Sequence, residues 1–355
     1  MVTYFFASAM IAGLYLLTTK VHIVRFRERG VDFRWLMLVP FVILLLFSAN
    51  NPDYQVYKES FETGYGPYYE TGIRIIADIL GKLRLNDYRV FLLLVASLVY
   101  FVFRLWNRKI ENIGMVVLLY SLFIMYYDVI QIRFTIAMMF VLLSLYYTID
   151  KKWAPAFLFA AASVFFHRLA ALPCLILFYL FVIRPRKDYS LSGKEAKLLI
   201  VVGLLGSVFS RKAVELIAGR SAFFSRITLY ITNNVGYDSL VIWVGYEVFL
   251  IAAIYWLGLK AVIQDPEVDD GTKAVSINLF RFMLFGITVS GFMLYVEEFN
   301  RMYRLFYLAG YLLFAYIEKF MKGTDRLLLF WAIIVVSILF MMVAMLRGIN
   351  FDLYW

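Results

Sequence analysis

Apolar runs recur along this chain from one end to the other, and that recurrence leaves few folds open. Twelve lie near residues 3–19, 35–49, 89–106, 112–127, 132–149, 153–167, 169–183, 197–209, 240–262, 276–296, 303–318 and 327–346. A helix that crosses the hydrocarbon core needs about 20 mostly apolar residues, within a range of about 17–25. No water is available there, so the backbone must satisfy its own polar groups, and a continuous apolar segment does so as a helix. The chain is 63% hydrophobic and 17% charged, against about 45–50% and about 25% for a soluble domain. The excess is spread over the whole length, which excludes a soluble domain with a single anchor. Several runs are short for a crossing, and their ends are expected to be completed by aromatic or snorkelling basic residues.

The basic residues set an orientation. Of 35 Lys and Arg, 20 fall in the connections after odd-numbered runs and 14 in the others, with Arg281 inside a helix. The more basic side is the cytoplasmic one, so both termini are expected to face outward. The net charge of +10 is then mostly topological and gives no reason to propose nucleic-acid binding. The single cysteine, Cys174, excludes an intramolecular disulfide. Two histidines, His22 and His167, are too few for a zinc cluster. No metal site and no cofactor is expected. Residues 1–4 lack a basic n-region, and the first run enters "KVHIVRFRER" without a small-residue cleavage pattern, so the first helix is expected to be retained.

Two outer segments are long enough for structure of their own. In 50–88, Ile73, Ile76, Ala77, Leu80 and Leu83 recur at helical spacing, with Glu70, Arg74, Asp78 and Lys82 on another face. This pattern predicts an amphipathic helix on the membrane surface. The segment 210–239 repeats it with Phe223, Phe224, Ile227, Tyr230 and Ile231, then turns at "NNVGYD".

A few polar residues then stand out. In "SVFFHRLAAL", His167 and Arg168 fall at an outer turn between two apolar runs. One reading is a pair of interfacial anchors. The other is functional, since histidine is the usual proton-transfer group near neutral pH. Gln131 and Arg133 stand at the start of the fifth run, where a guanidinium beside free backbone N–H groups makes an anion site. Pairing with Asp128 or snorkelling are the structural alternatives. In "VEEFNRMYRLFYL", Glu297, Arg301 and Arg304 share one helix face, either as a charge ladder or as further phosphate ligands. Four guanidiniums at one depth would suit a diphosphate. Glu70 and Asp53 offer carboxylates on the same side, beside the readings of a Glu70–Arg74 surface pair and a helix cap. Glu247 lies inside the ninth run, and an intramembrane carboxylate is a functional candidate by default. Arg281 is close enough to the cytoplasmic end of its run to snorkel.

The block "DVIQIRFTIAMMFVLLSLYYTIDKKWAPAFLFAAASVFFHRLAAL" resembles the EpsG/Wzy-like family of bacterial polysaccharide polymerases. Arg133, the basic turn Lys151–Lys152 and the pair Phe166–His167 carry the likeness. "DYQVYKESF", "YYETGIRIIADILG" and "NRMYRLFYL" are similar to its other segments. Phe134 and Thr71 depart from it, standing where the family commonly has glutamine and proline. The resemblance implies an all-α polytopic membrane protein of about twelve transmembrane helices, with interfacial helices in the two longer outer loops and a GT-C-like architecture. One integral-membrane domain would occupy 1–355.

The implied activity is transfer of a growing glycan from undecaprenyl diphosphate to the acceptor sugar of another lipid-linked unit. It would occur at the periplasmic face of the bacterial inner membrane, without metal. His167, then Glu70, would act on the acceptor proton. Arg133, Arg301, Arg304 and Arg168 would hold the diphosphate. Asp53, Tyr57, Gln131 and Glu247 would line the acceptor cavity. The implied partners are an undecaprenyl diphosphate-linked oligosaccharide, the lipid bilayer and a chain-length regulator. Tyr65, Tyr68 and Tyr69 are candidates for stacking on sugars or for the interfacial belt. The competing expectations are an O-antigen ligase, a GT-C glycosyltransferase using Asp53, and a lipid-linked oligosaccharide flippase. A flippase should carry charge through the midplane and show two similar halves, neither of which the sequence displays.

Overall fold

The computed structural model describes residues 7–15, 33–47, 52–63, 71–183, 198–199, 201–203, 205, 237–293 and 301–346. No strand occurs among the described residues. The chain divides into two compact units, Met1–Cys174 with Met345–Trp355, and Leu175–Ala344.

The first unit begins with α1 (residues 7–15), then a 3-10 turn Phe33–Leu38 leading into α2 (Val39–Phe47). The outer segment 50–88 holds two helices, α3 (Pro52–Thr63) and α4 (Thr71–Lys82). The sequence pattern anticipated α4 but not α3. In α4, Gly72, Ile73 and Leu80 are buried, whereas Arg74, Asp78 and Lys82 face out together with Ile75 and Ile79. The two-faced pattern holds in part: Ile76 and Ala77 are half-buried, and Leu83, expected on the inner face, lies past the helix end and is exposed; the exposed isoleucines suit a membrane surface. Helix α5 (Tyr88–Trp106) starts on the Asp87 cap, whose carboxylate accepts the Arg89 N–H at 2.8 Å. There follow α6 (Ile113–Leu122), α7 (Ile124–Ile130), α8 (Ile132–Ile149) and α9 (Trp153–Phe166). A 3-10 turn, Arg168–Ala170, precedes α10 (Ala171–Phe178).

The run near 112–127, which reads as one straight span, is broken. Helices α6 and α7 meet at 69°, and Phe123 between them has φ −141°, ψ −52°. Neither glycine nor proline stands there. The bend is held by side chains instead. Ser8 of α1 donates its hydroxyl to the Ser121 carbonyl at 3.0 Å, and Ser121 turns its own hydroxyl to the Leu118 carbonyl at 2.7 Å. A hydroxyl inserted in place of a backbone donor is a recognised cause of a kink.

The bent pair still crosses the unit. At one end, Tyr88 and Phe91 of α5 line a crevice with Ile132 and Arg133 of α8. At the other, Lys109 just past α5 binds Asp150 just past α8, and the Trp106 indole reaches the Leu142 carbonyl at 3.3 Å. Helices α5 and α8 are therefore parallel. The chain between them must return from the Lys109 end to the Arg133 end, so α6 and α7 form one broken span.

In the second unit α11 (Tyr237–Ile254) continues through a π-helical turn, Tyr255–Leu259, into α12 (Lys260–Gln264). Then come α13 (Asp270–Met293), α14 (Tyr303–Ile317) and α15 (Gly323–Leu346). Trp243 of α11 stacks on Tyr303 and Tyr307 of α14. The Tyr246 hydroxyl lies 2.6 Å from that of Tyr311 and 2.5 Å from that of Ser337 on α15. Helix α14 is buried on every side, as a helix apolar all round must be.

Among the described residues four helices are long and apolar enough to cross a membrane: Tyr88–Trp106, Ile132–Ile149, Trp243–Gln264 and Gly323–Val343. The broken pair makes five. The sequence reading counted about twelve. Leu36–Leu46, Trp153–Phe166 and Arg168–Ile183 are apolar helices too short to meet that length alone. The second outer helix expected in 210–239 falls almost wholly outside the described residues.

Candidate active site

The site grows from the first turn of α8. Gln131 leaves helical geometry (φ −95°, ψ 60°), Ile132 is the first helical residue and Arg133 the second. The N–H groups of that turn carry the positive end of the helix dipole. Adding a guanidinium there makes the end attractive to anions. Arg133 is half-buried and donates from Nε to the Tyr57 hydroxyl at 2.8 Å. Its guanidinium carbon also lies 5.2 Å from the centre of the Tyr57 ring, within cation–π range. Tyr57 and Phe61 of α3, with Ile73, Tyr88, Phe91 and Ile132, wall the narrow crevice beside Arg133.

The turn into α8 is braced from behind. Asp128, fully buried on α7, accepts the Tyr120 hydroxyl at 2.7 Å, and its carbonyl accepts the Thr135 hydroxyl at 2.9 Å. Every polar group freed where one helix stops and the next begins needs such a partner inside a membrane.

His167 joins this end through Phe134, whose ring it meets edge-on at 5.3 Å. It ends α9 with extended backbone (φ −159°, ψ 119°) and opens the next turn. Its Nδ1 accepts the Leu169 N–H at 3.3 Å. A neutral imidazole accepting at Nδ1 carries its proton on Nε2. The residue is only 5% exposed, so it is no snorkelling anchor. Arg168, next in sequence, is exposed. Gly72 of α4 lets the outer helix close on this turn: a Cβ there would lie 3.0 Å from the Phe166 ring and 3.1 Å from the Phe165 carbonyl.

Tyr57, Gln131, Arg133, His167 and Arg168 thus stand at one end of the first unit. Lys109, Asp150, Lys151 and Lys152 stand at the other. Asp53 is the second residue of α3. Glu70, Glu297, Tyr65, Tyr68 and Tyr69 lie outside the described residues.

Arg301, Arg304 and Glu247 belong to the second unit. Arg301 is half-buried in a 3-10 turn. Arg304, the second residue of α14, is fully buried and sends Nε to the Arg301 carbonyl at 3.3 Å. Glu247 is fully buried on α11, and neither carboxylate oxygen has a hydrogen-bond partner. Gly286 of α13 makes room for it; a Cβ there would lie 3.0 Å from Oε1. Arg281, read from the sequence as snorkelling, is instead buried at 3% exposure and donates from Nη1 to the Asn278 side chain at 3.0 Å. Among the described residues no group of three or more His, Cys, Asp or Glu is placed to hold a metal.

Sequence reasoning missed the Tyr57–Arg133 pair. The one signal for it is the spacing of Tyr54, Tyr57 and Phe61, which puts three aromatics on one face of a helix.

No match was found among curated proteins or among solved structures. The sequence model of one protein family, however, matches residues 34–354, a span that contains every helix from α2 through α15 and both ends of the arrangement just described. On that match the chain belongs to the EpsG family, a family of Wzy-like polysaccharide polymerases.

Proposed function

We propose that this polymerase lengthens a glycan carried on undecaprenyl diphosphate by moving it to a sugar hydroxyl of a second lipid-linked unit. The observation that carries the reading is the first turn of α8. A guanidinium held by Tyr57 sits on a helix N-terminus, and the His167 turn packs beside it through Phe134. In the transfer, the acceptor oxygen forms a bond to the anomeric carbon, the bond from that carbon to the diphosphate oxygen breaks, and the acceptor loses its proton. Arg133 and the helix N-terminus stabilise the charge that grows on the departing diphosphate. Arg168, at the same turn, adds positive charge.

His167 takes the acceptor proton. To do so at Nε2 the ring must adopt the tautomer protonated at Nδ1, which gives up the long bond from Leu169. That costs about 1 kcal/mol, small beside the roughly 10²–10⁴-fold that general-base catalysis contributes. Glu70 is the second candidate for the proton. Asp53, Tyr57 and Gln131 border the acceptor, and Arg301, Arg304 and Glu247 are kept as substrate-binding candidates within their own unit. The basic cluster at Lys109, Lys151 and Lys152 supports a cytoplasmic location for that end, hence a periplasmic one for Arg133. A layout of about twelve membrane segments in a GT-C-like arrangement is part of the same proposal; the short apolar helices Leu36–Leu46, Trp153–Phe166 and Arg168–Ile183 add to the longer spans. A chain-length regulator is a proposed partner.

The test is elongation by the purified, reconstituted protein given lipid diphosphate-linked repeat units and no ATP. Loss of one charge-assisted contact to a leaving group costs about 2–4 kcal/mol, or roughly 30- to 1,000-fold in rate. Arg133→Ala should fall in that range with normal amounts of protein in the membrane. Translocation of the lipid-linked unit without lengthening would point to a flippase, and wild-type elongation by Arg133→Ala would remove Arg133 from the chemistry.

A further inference from the structure

Tyr57 is joined to Arg133 in two ways at once. Its hydroxyl accepts from Nε at 2.8 Å, and its ring lies 5.2 Å from the guanidinium carbon. The guanidinium has five N–H donors, and the bond through Nε sets the plane of the group without using the two terminal nitrogens. The tyrosine is itself held. It is 8% exposed, on a helix whose aromatic face packs against the start of α5. Tyr54 meets Tyr88 edge-on at 5.2 Å, and Phe61 lies 5.7 Å from both Tyr88 and Phe91. Residues 54, 57 and 61 are spaced i, i+3, i+7, so one stripe of α3 carries all three. The outer ones fix the helix to α5, and the middle one reaches α8.

We propose that Tyr57 is a positioning residue, which holds the Arg133 guanidinium in the plane and place needed to grip two oxygens of a lipid diphosphate as it leaves. The proposal rests on the reading of Arg133 given above. A two-pronged grip depends on the plane of the guanidinium, whereas a point charge does not. A flexible arginine would have to be ordered again in each transition state, and groups that are ordered beforehand avoid that cost. The aromatic stripe makes Tyr57 rigid enough for the task. The outer segment, which sequence alone leaves as a loop with a surface helix, thereby acquires a role in setting the geometry of a residue 76 positions away.

The experiment uses the full chain, reconstituted with lipid diphosphate-linked repeat units, in four forms: wild type, Tyr57→Phe, Arg133→Lys and the double variant. Tyr57→Phe keeps the ring and removes the accepting oxygen. It should lower kcat about tenfold or more, the size expected for a hydrogen bond to a charged group. The melting temperature should not move. Lysine has no Nε–H fork to be aligned, so in the Arg133→Lys background Tyr57→Phe should bring no further loss. A tenfold loss repeated in full in that background would show that Tyr57 acts independently of Arg133 and overturn the proposal. So would wild-type kcat in Tyr57→Phe, or a loss accompanied by an equal drop in melting temperature. None of these outcomes touches the polymerase reading, which fails only if the wild-type protein does not lengthen glycan, or the role of Arg133, which fails only if Arg133→Ala elongates at the wild-type rate.

Discussion

His167 invites a substitution that separates holding a turn from moving a proton. Its Nδ1 accepts the Leu169 N–H at the start of the 168–170 turn, a capping role that asparagine fills well with its side-chain oxygen. His167→Asn therefore keeps an acceptor in place and deletes the basic ring. His167→Ala deletes both. The cap is worth about 1 kcal/mol. General-base catalysis of roughly 10²–10⁴-fold corresponds to about 2.7–5.4 kcal/mol of barrier. The two contributions differ enough to be read apart in one purified series. Initial elongation rates and melting temperatures of wild type, His167→Asn and His167→Ala are the measurements. Both variants should lose roughly 10²–10⁴-fold in rate, and only His167→Ala should also lose about 1 kcal/mol of stability. If His167→Asn elongates glycan at the wild-type rate while His167→Ala does not, the imidazole is a turn cap and the proton goes elsewhere, with Glu70 next in line.

If, as proposed, arginines supply the positive charge at the leaving group, elongation should survive EDTA. Loss of activity that a divalent ion restores would favour a metal-dependent transferase. Asp269 caps α13 through the Thr272 N–H at 2.8 Å and the Thr272 hydroxyl at 2.6 Å. These bonds, the side-chain one foremost, hold its carboxyl below the ordinary value of 3.8. Its stabilising effect is thus complete above that value and fades as pH falls through the lowered one. Asp269→Ala should cost about 0.5–1 kcal/mol at neutral pH, and its melting temperature should converge on that of wild type in strong acid; a constant gap would contradict the linkage. A Cβ on Gly203 would meet the Ile287 carbonyl oxygen at 2.8 Å, whereas one on Gly310 would meet the end of the Met283 side chain at 2.7 Å. Backbone cannot yield as a methionine can, so Gly203→Ala should cost about 1–3 kcal/mol and Gly310→Ala distinctly less, with the reverse order of melting temperatures refuting the packing argument.

What the sequence discloses about this fold is what short-range physics decides. Long apolar runs give α5, α8 and α15, because a segment in hydrocarbon has only helix available to it. Ile73 and Leu80 mark the inner face of α4 by spacing alone. Gln131 and Arg133 are readable as a helix start, and His167 as a turn, since each interrupts or opens an apolar run. The bend at Phe123 is invisible because its cause, Ser8, is 113 residues away. Arg281 misleads for a related reason: snorkelling is inferred from depth in the run, while burial is set by the helices around it. Helix α3 is too polar for a span, and its link to α8 shows only when Tyr57 is seen on Arg133. The second-unit candidates Arg301, Arg304 and Glu247 are legible as unusual residues, but the burial of Arg304 and Glu247 is set by neighbouring helices, Arg304 on α14, which is buried on every side, and Glu247 on the inner face of α11.

The Ser8–Ser121 bond has a consequence for how the chain enters the membrane. The bend between α6 and α7 releases the Ser121 carbonyl from its own helix, and an uncapped carbonyl in lipid costs several kcal/mol. The group that caps it arrives first, in α1, more than a hundred residues ahead of the bend. The N-terminal helix is in this sense an assembly partner for the fourth apolar run, synthesised well before the broken span it completes. Ser8→Ala would then impair biogenesis more than chemistry: pulse-labelled chains should be degraded before they mature, while the molecules that do mature elongate glycan normally.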